Sequence, residues 1–348
     1  MALVKNKKSF ISAVSTIVGA DMGIQDLLFP KARPRNTKLI EYDYATIEGA
    51  SADYHSFAET AKVVEKDGKS VIILAPLNFN ESISKDEIYA NASKFGENEY
   101  GDGTIDAVTE SALNGVAKLS LRALIGTKRA IYQALTTHKI AGGYKGKDGA
   151  EDIVFNTPAA NIKVLTNTAP ELYWDNASAT PLDNLYAAYE SMIVKPTMAV
   201  MNSALYSYFY DNAQIRTADN TSSGLKKNYT LNEGRNAEGD FFKAGTVQYK
   251  DMMLDIYVER GTYKDSAGTD TQFLTDGFVV LASRGNGTTE FGGIPVAKQG
   301  EGVVNISAEF DVQEIVTQNP PVHELVHRTA PLPLLKNGNA FYSMKVTA

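Results

Sequence analysis

Residues 104–140 constrain the fold most, because they read as one helix roughly 55 Å long at 1.5 Å per residue. Ile105, Val108, Ala112, Val116, Leu119 and Ala123 recur every three or four residues, and Ile131 and Leu135 resume the same stripe. Asp102, Asp106 and Glu110 stand at its start and His138 and Lys139 at its end, the charge order a helix dipole favours. Gly101 and Gly103 precede it, and Gly142 and Gly143 are the expected stop. A helix that exceeds the ~30 Å width of a small domain suits an elongated molecule. Gly115 and Gly126 lie inside it, each costing about 1 kcal/mol against Ala, so each marks a bend or a place of close packing.

The 348 residues suffice for two domains of ordinary size, and a net charge of −7 provides no basic field for gripping nucleic acid. With no cysteine, disulfides, thiolate metal sites and cysteine catalysis are excluded. No run approaches the ~18 apolar residues of a membrane span. Lys5, Lys7 and Lys8 precede FISAVSTIVGA, which could mimic an export signal. However, Ser12, Ser15 and Thr16 interrupt the run, and Phe10, Val14, Ile17 and Val18 share one helical face, so an amphipathic interaction helix is the better reading. N-x-[ST] matches such as Asn91-Ala92-Ser93 carry no weight without export.

In chain order, residues 1–38 read as an arm, with a helix over about 9–29 followed by Pro30 and Pro34 among Lys31, Arg33 and Arg35. Residues 39–85 read as strands, with Asp67-Gly68 turning a hairpin between AKVVEK and KSVIILAPL. A lone hairpin is only marginally stable, so this one is expected to lie against a neighbour. Residues 143–166 read as a second hairpin around Lys147-Asp148-Gly149, with IVF and IKVL as strands. Thr180 and Pro181 start a helix that Pro196 ends, and MAVMNSALYSYFY reads as another helix. Residues 211–243 are a long polar loop, TVQYKDMMLDIYVERG a strand pair, Ser266-Ala267-Gly268 a turn and FLTDGFVVLASRG a strand. The stretch holding Gly285, Gly287, Gly292 and Gly293 reads as a flexible turn, residues 303–318 as extended, and APLPLLKNGNAFYSMKV as a hairpin turned by Asn337-Gly338.

One motif suggests chemistry. His323-Glu324-Leu325-Val326-His327 matches the zinc-protease pattern, in which a helix brings two imidazoles onto one face with a glutamate as base. Pro320 and Pro321 before it, Pro331 and Pro333 after it, and the lack of a downstream third ligand argue instead for a strand, with Val322, Glu324, Val326 and Arg328 on one face and His323, Leu325 and His327 on the other. His55, His138, His323 and His327 are too scattered for a triad, and the dipole accounts for His138. Asp102, Asp106 and Glu110 read as a solvated first turn. Tyr186, Tyr189, Tyr206, Tyr208 and Tyr210 read as core or subunit-contact aromatics. The Gly-rich stretch lacks nucleotide-binding spacing.

The order of arm, hairpin, long helix, hairpin, mixed domain and returning C-terminal strands resembles the major capsid proteins of tailed phages, which share an α+β architecture, the Hong Kong 97 phage capsid fold. FLTDGFVVLAS, FGGIPV, NISAEFDVQEIV and NPPVHELVHRTAPLPLLKNGNAFYSMKV resemble the C-terminal third of the lambda-type major head protein, and LLFPKARPRNTKLIEYDY is similar to its arm-to-loop junction. The resemblance implies an N-terminal arm at 1–44, an extended loop at 45–90, a peripheral domain at 91–178 and 327–348 containing the spine helix 104–140, and an axial domain at 179–326. It implies no catalytic residue, metal or cofactor. The implied partners are copies of the chain itself in hexamers and pentamers, with a scaffold, a portal, a maturation protease and a decoration protein. The shell would enclose double-stranded DNA without sequence-specific binding or membrane contact. Phe10, Val14, Leu27, Leu28, Asp67 and Gly68 are the candidate contacts between subunits. The alternatives are an encapsulin-like or prophage-derived shell and a zinc metalloprotease built on HELVH at 323–327.

Overall fold

The strand Met198–Asn202 is buried along its whole length, because it lies in the middle of a seven-stranded sheet covered on both faces. The computed structural model describes residues 23–45, 69–84, 104–146, 149–218, 229–231, 239–265, 267–298, 302–318 and 321–348. The sheet order is Ile162–Val164, Phe341–Lys345, Phe278–Ala282, Met198–Asn202, Met252–Glu259, Phe241–Tyr249 and Tyr229–Leu231. Met198–Asn202 runs parallel to Met252–Glu259 and antiparallel to Phe278–Ala282.

Alternate residues leave the sheet on opposite sides and feed two cores. Met198, Val200, Val280, Ala282 and Phe341 face the spine helix and the arm. Ala199, Met201, Val279, Leu281 and Met344 face Trp174 and the helices Pro181–Ser191 and Ser203–Asp211. The expected single helix over MAVMNSALYSYFY is therefore a strand followed by a helix. A strand buried on both faces loses the apolar–polar alternation that would identify it. The change occurs at Asn202, whose side chain caps the new helix by accepting from Leu205 N at 2.8 Å.

The spine helix spans Thr104–Thr137. Its N-terminal half packs Ala112 and Val116 on Val312 and Leu325 of a three-stranded sheet, and its C-terminal half packs Ile131 and Leu135 into the main core. Gly115 and Gly126 are sites of close packing. A Cβ at Gly115 would come within 2.8 Å of Ile83, and one at Gly126 within 2.6 Å of Phe79, so the strand Phe79–Ser84 crosses the helix at both glycines. The stop is His138, not Gly142 or Gly143. His138 takes the left-handed conformation (φ 53°), and those glycines lie in the following strand, Lys139–Gly146. That strand pairs with Gly149–Val154 in the expected hairpin, whereas IKV joins the edge of the large sheet.

Four other local readings change. Asn337-Gly338 does not turn a hairpin: Pro331–Leu335 pairs with Gly287–Phe291, while Phe341–Lys345 joins the large sheet. Gly338 is pressed against the backbone of Asn156 and Thr157, and Asn337 caps a short 3-10 turn through Asn339 N at 3.1 Å. The Gly-rich stretch contains a fully buried strand, Gly287–Phe291, so it is not a flexible turn. Thr180 precedes the helix Pro181–Ser191 as expected but makes no side-chain cap; Gln214 Oε1 takes the Leu182 N–H at 2.9 Å. Within the polar stretch 211–243 lie a helix, Ala213–Ala218, and an edge strand, Tyr229–Leu231. The expected N-terminal helix before Gly23, the Asp67-Gly68 turn and the side chains of Asp102, Asp106 and Glu110 lie outside the described residues.

Gly126→Val should reduce stability by about 1–3 kcal/mol, because overpacking against Phe79 outweighs any gain in helix propensity. Chemical denaturation measures it; a variant as stable as the parent would contradict the packing role.

Candidate functional site

The most extended long-range contact of the arm is built on the segment that follows the helix Gly23–Leu28. Two prolines prevent this segment from continuing as a helix, and it runs instead as an extended chain. It lies along the free edge of Gly287–Phe291: Lys31 bridges Thr289 in parallel, Ala32 N donates to Thr289 O at 2.8 Å, Thr289 N to Pro30 O at 3.0 Å and Arg35 N to Phe291 O at 3.0 Å. The glycines of that stretch make room for the arm. Gly287 lies against Leu28 and Phe29, and Gly293, which donates to Thr37 O at 2.7 Å, lies against Asn36. Ion pairs flank the track, Lys31–Glu309 at 2.9 Å and Arg35–Glu290 at 3.2 Å. Beyond the track, Ile40–Ala45 pairs with Lys69–Leu74 as a two-stranded ribbon whose outer face leaves Leu39 and Ile73 exposed.

A buried charge network ties the spine helix to the large sheet. Lys128 Nζ lies 3.1 Å from Glu259 Oε2, with both side chains at least 95% buried. Gly261 N donates to Glu259 Oε1 at 2.7 Å, Tyr132 Oη donates to Oε2, and the ammonium sits 4.6 Å from the centre of the Phe273 ring. A pair removed from water to this degree does not stabilise the fold cheaply, but it fixes one rotational setting of the helix against the sheet. At the helix end, Ser343 Oγ donates to Thr136 O at 2.8 Å.

The motif 323–327 lies in the strand Pro321–Thr329, paired with Asp311–Gln318 on one side and Phe79–Ser84 on the other. Positions 323 and 327 are therefore about 13 Å apart along an extended chain, not one helical turn apart, which rules out a shared zinc ion and the protease reading. His327 is buried and stacks on Phe310, their ring centres 5.4 Å apart. Burial pushes its pKa down to about 4 and does the same to His138. His138 is thus uncharged at neutral pH, and the dipole does not account for it. Lys139 is paired with Asp152 at 3.1 Å, and this pairing, after the Gly142 N–H, helps hold that carboxyl below its usual range.

The tyrosines form surface clusters on the other side of the large sheet. Tyr186 stacks on Tyr189 and meets Tyr249 edge-on, with Lys250 Nζ 4.0 Å from the Tyr186 ring centre. Tyr249 donates to Asp183 at 2.7 Å, which pushes its pKa up to about 12. Tyr208 and Tyr210 are exposed on the helix Ser203–Asp211. Ile193, just after the helix Pro181–Ser191, and Met253, Val303 and Val316, each on a different strand, are more than 60% exposed.

Of the six expected contact residues, Phe10, Val14, Asp67 and Gly68 lie outside the described residues. Leu28 is fully buried within its own chain, and Leu27 is half-buried against the same core. The arm track and the Lys128–Glu259 network escaped the sequence reading, since each joins residues more than a hundred positions apart.

Residues 8–346 match the sequence model of the family described as phage major capsid protein E. No curated protein matches the chain in sequence. Among solved structures, the chain is similar to the capsid protein assigned to a prophage of E. coli CFT073, with a TM-score of 0.69 at 15% identity over 98% of this chain and 99% of that one. It is also similar to a phage-related protein of Bordetella bronchiseptica RB50, with a TM-score of 0.53 at 11% identity over 98% of each chain.

Glu259→Gln should cost about 3–5 kcal/mol, because it leaves the Lys128 ammonium buried without a counter-charge. A loss under 1 kcal/mol in urea denaturation would contradict the network's role. The two buried histidines predict an acid-sensitive fold. Their folded pKa of about 4 lies below the ordinary 6.5, so the unfolded chain binds protons more readily between those values. Stability should be fully present above pH 6.5 and decline as the pH falls toward 4. In a variant carrying His138→Gln and His327→Gln, the urea midpoint should vary less over that window; an unchanged slope would contradict the assignment.

Proposed function

The chain belongs to the phage major capsid protein E family, and from that membership together with the fold we infer how the molecule works. It is a phage major capsid protein of the Hong Kong 97 fold, and copies of it build the icosahedral head that encloses the DNA genome. The observation that carries this reading is a family match over 8–346, nearly the whole chain. The seated arm and the long spine helix give the match a physical counterpart.

In this reading the subunits associate as hexamers and pentamers. The axial part, 179–326, gathers around the symmetry axes and carries the exposed tyrosines. The peripheral part, 91–178 and 327–348, holds the spine helix, and the strand Phe341–Lys345 stitches the chain's end into the sheet of the axial part. The arm, 1–44, and the loop, 45–90, reach neighbouring subunits, with Phe10, Val14, Leu27, Asp67 and Gly68 as contacts. Leu28 belongs to the chain's own core. The protein acts through surfaces rather than a catalytic group. It meets a scaffold, a portal and a maturation protease during assembly in the host cytoplasm, and a decoration protein afterwards. The finished shell belongs to the virion of a lambda-like tailed phage. Its net charge of −7 suits a wall along which DNA slides without sequence-specific contact. Among the described residues no helix is long and apolar enough to cross a membrane.

Gly68→Val tests the contact role of the loop. An Asp-Gly turn favours positive φ at the glycine, which valine resists. The variant should remain soluble and folded but form few or no closed shells in sedimentation. Wild-type yields of particles would contradict the role assigned to the loop.

A further inference from the structure

A cavity of about 120 Å³ lies where the arm, the spine helix and the strand Pro321–Thr329 meet. Polar side chains from all three enter its wall: Gln25 from the helix Gly23–Leu28, Ser120 and Thr127 from the spine helix, and His327 and Thr329 from the strand. The ion pair Lys31–Glu309 also lines it, with both side chains partly exposed. Two lining residues carry deeply buried polar atoms without a protein partner: Gln25 Oε1, in a residue 1% exposed, and His327 Nε2, in a residue 2% exposed. The orientation of the Gln25 amide is settled by its other end. Gln25 Nε2 donates to Thr289 Oγ1 at 3.2 Å, and that hydroxyl donates to Phe29 O at 3.0 Å. Turning the amide over would break this relay, so Oε1 is the atom that needs a donor.

We infer that this cavity is a hydration site, in which ordered water meets Gln25 Oε1 and His327 Nε2 and joins the arm to the strand Pro321–Thr329. The chemistry of the wall narrows the guest to a small neutral molecule that both donates and accepts. Lys31 and Glu309 neutralise one another, so the wall carries no net charge that calls for an ion. On this measure a water needs roughly 10–15 Å³, so the volume accommodates several. Water donates to the amide oxygen and meets the imidazole nitrogen whichever ring nitrogen carries the proton. The arm is thus joined to that strand partly through solvent, at a seam otherwise flanked by the apolar contacts of Ile24 and Leu28.

The direct test is a map of the assembled protein at a resolution that shows ordered water. Density within hydrogen-bonding distance of both Gln25 Oε1 and His327 Nε2 is expected; a cavity without density at either atom, or with the short distances of a metal ion, overturns the inference. A second measurement uses His327→Phe, which keeps a ring against Phe310 but deletes Nε2. If water satisfies that nitrogen, the variant melts several degrees lower. If the cavity is dry, deleting an orphaned polar atom leaves the melting temperature unchanged or raises it, and the inference fails. Should the variant not fold, the map alone decides.

Discussion

A helix of 34 residues is about 51 Å long, and no single neighbouring element can bury its apolar stripe. The chain meets that requirement by bringing distant segments to it in sequence. The first half rests on Ile83, Val312 and Leu325, which come from two strands beyond position 300 and one before the helix. The second half rests on the arm, the large sheet and the strand Pro331–Leu335. Each fully buried Leu or Ile contributes roughly 1.5–3 kcal/mol, so the line from Val116 to Leu135 accounts for a substantial part of the gross stabilisation. Gly115 and Gly126 give up about 1 kcal/mol each of helix propensity so that Phe79 and Ile83 can approach the backbone.

Apolar contact alone would allow the helix to slide or roll on the sheet. The Lys128–Glu259 pair, with the Gly261 N–H and the Tyr132 hydroxyl, removes that freedom, because any other setting would strand a charge away from water. The arm is held by Ile24, Leu28 and Phe29 in the core, and beyond them by backbone hydrogen bonds along one strand edge and by ion pairs whose basic partners, Lys31 and Arg35, are partly exposed. The molecule therefore combines a rigid spine with an arm that docks as an added strand. That division suits a subunit whose copies assemble into a shell.

Periodicity over 104–140 was enough to find the spine helix to within three residues at its end, and the prolines around HELVH were enough to place it on a strand. These signals are local, and the physics behind them is local as well. Sequence expectation and structure differ where local chemistry is ambiguous. MAVMN carries no alternation because both its faces are buried, so it resembled the helix that follows it. Asn337-Gly338 has turn chemistry, but which sheet each flanking strand joins is decided by Gly287–Phe291 and Phe278–Ala282, far upstream. The glycines at 287 and 293 looked flexible because nothing nearby in sequence reveals that the arm's backbone presses on them. Glu259 and Lys128, 131 positions apart, could not be paired by any reading of spacing.

The central claim is that this chain builds a closed shell, and electron microscopy of the protein expressed alone and with its neighbouring genes tests it most directly. Closed icosahedral shells or sheets of hexameric rings are the expected result. A monodisperse small species under both conditions would contradict the account.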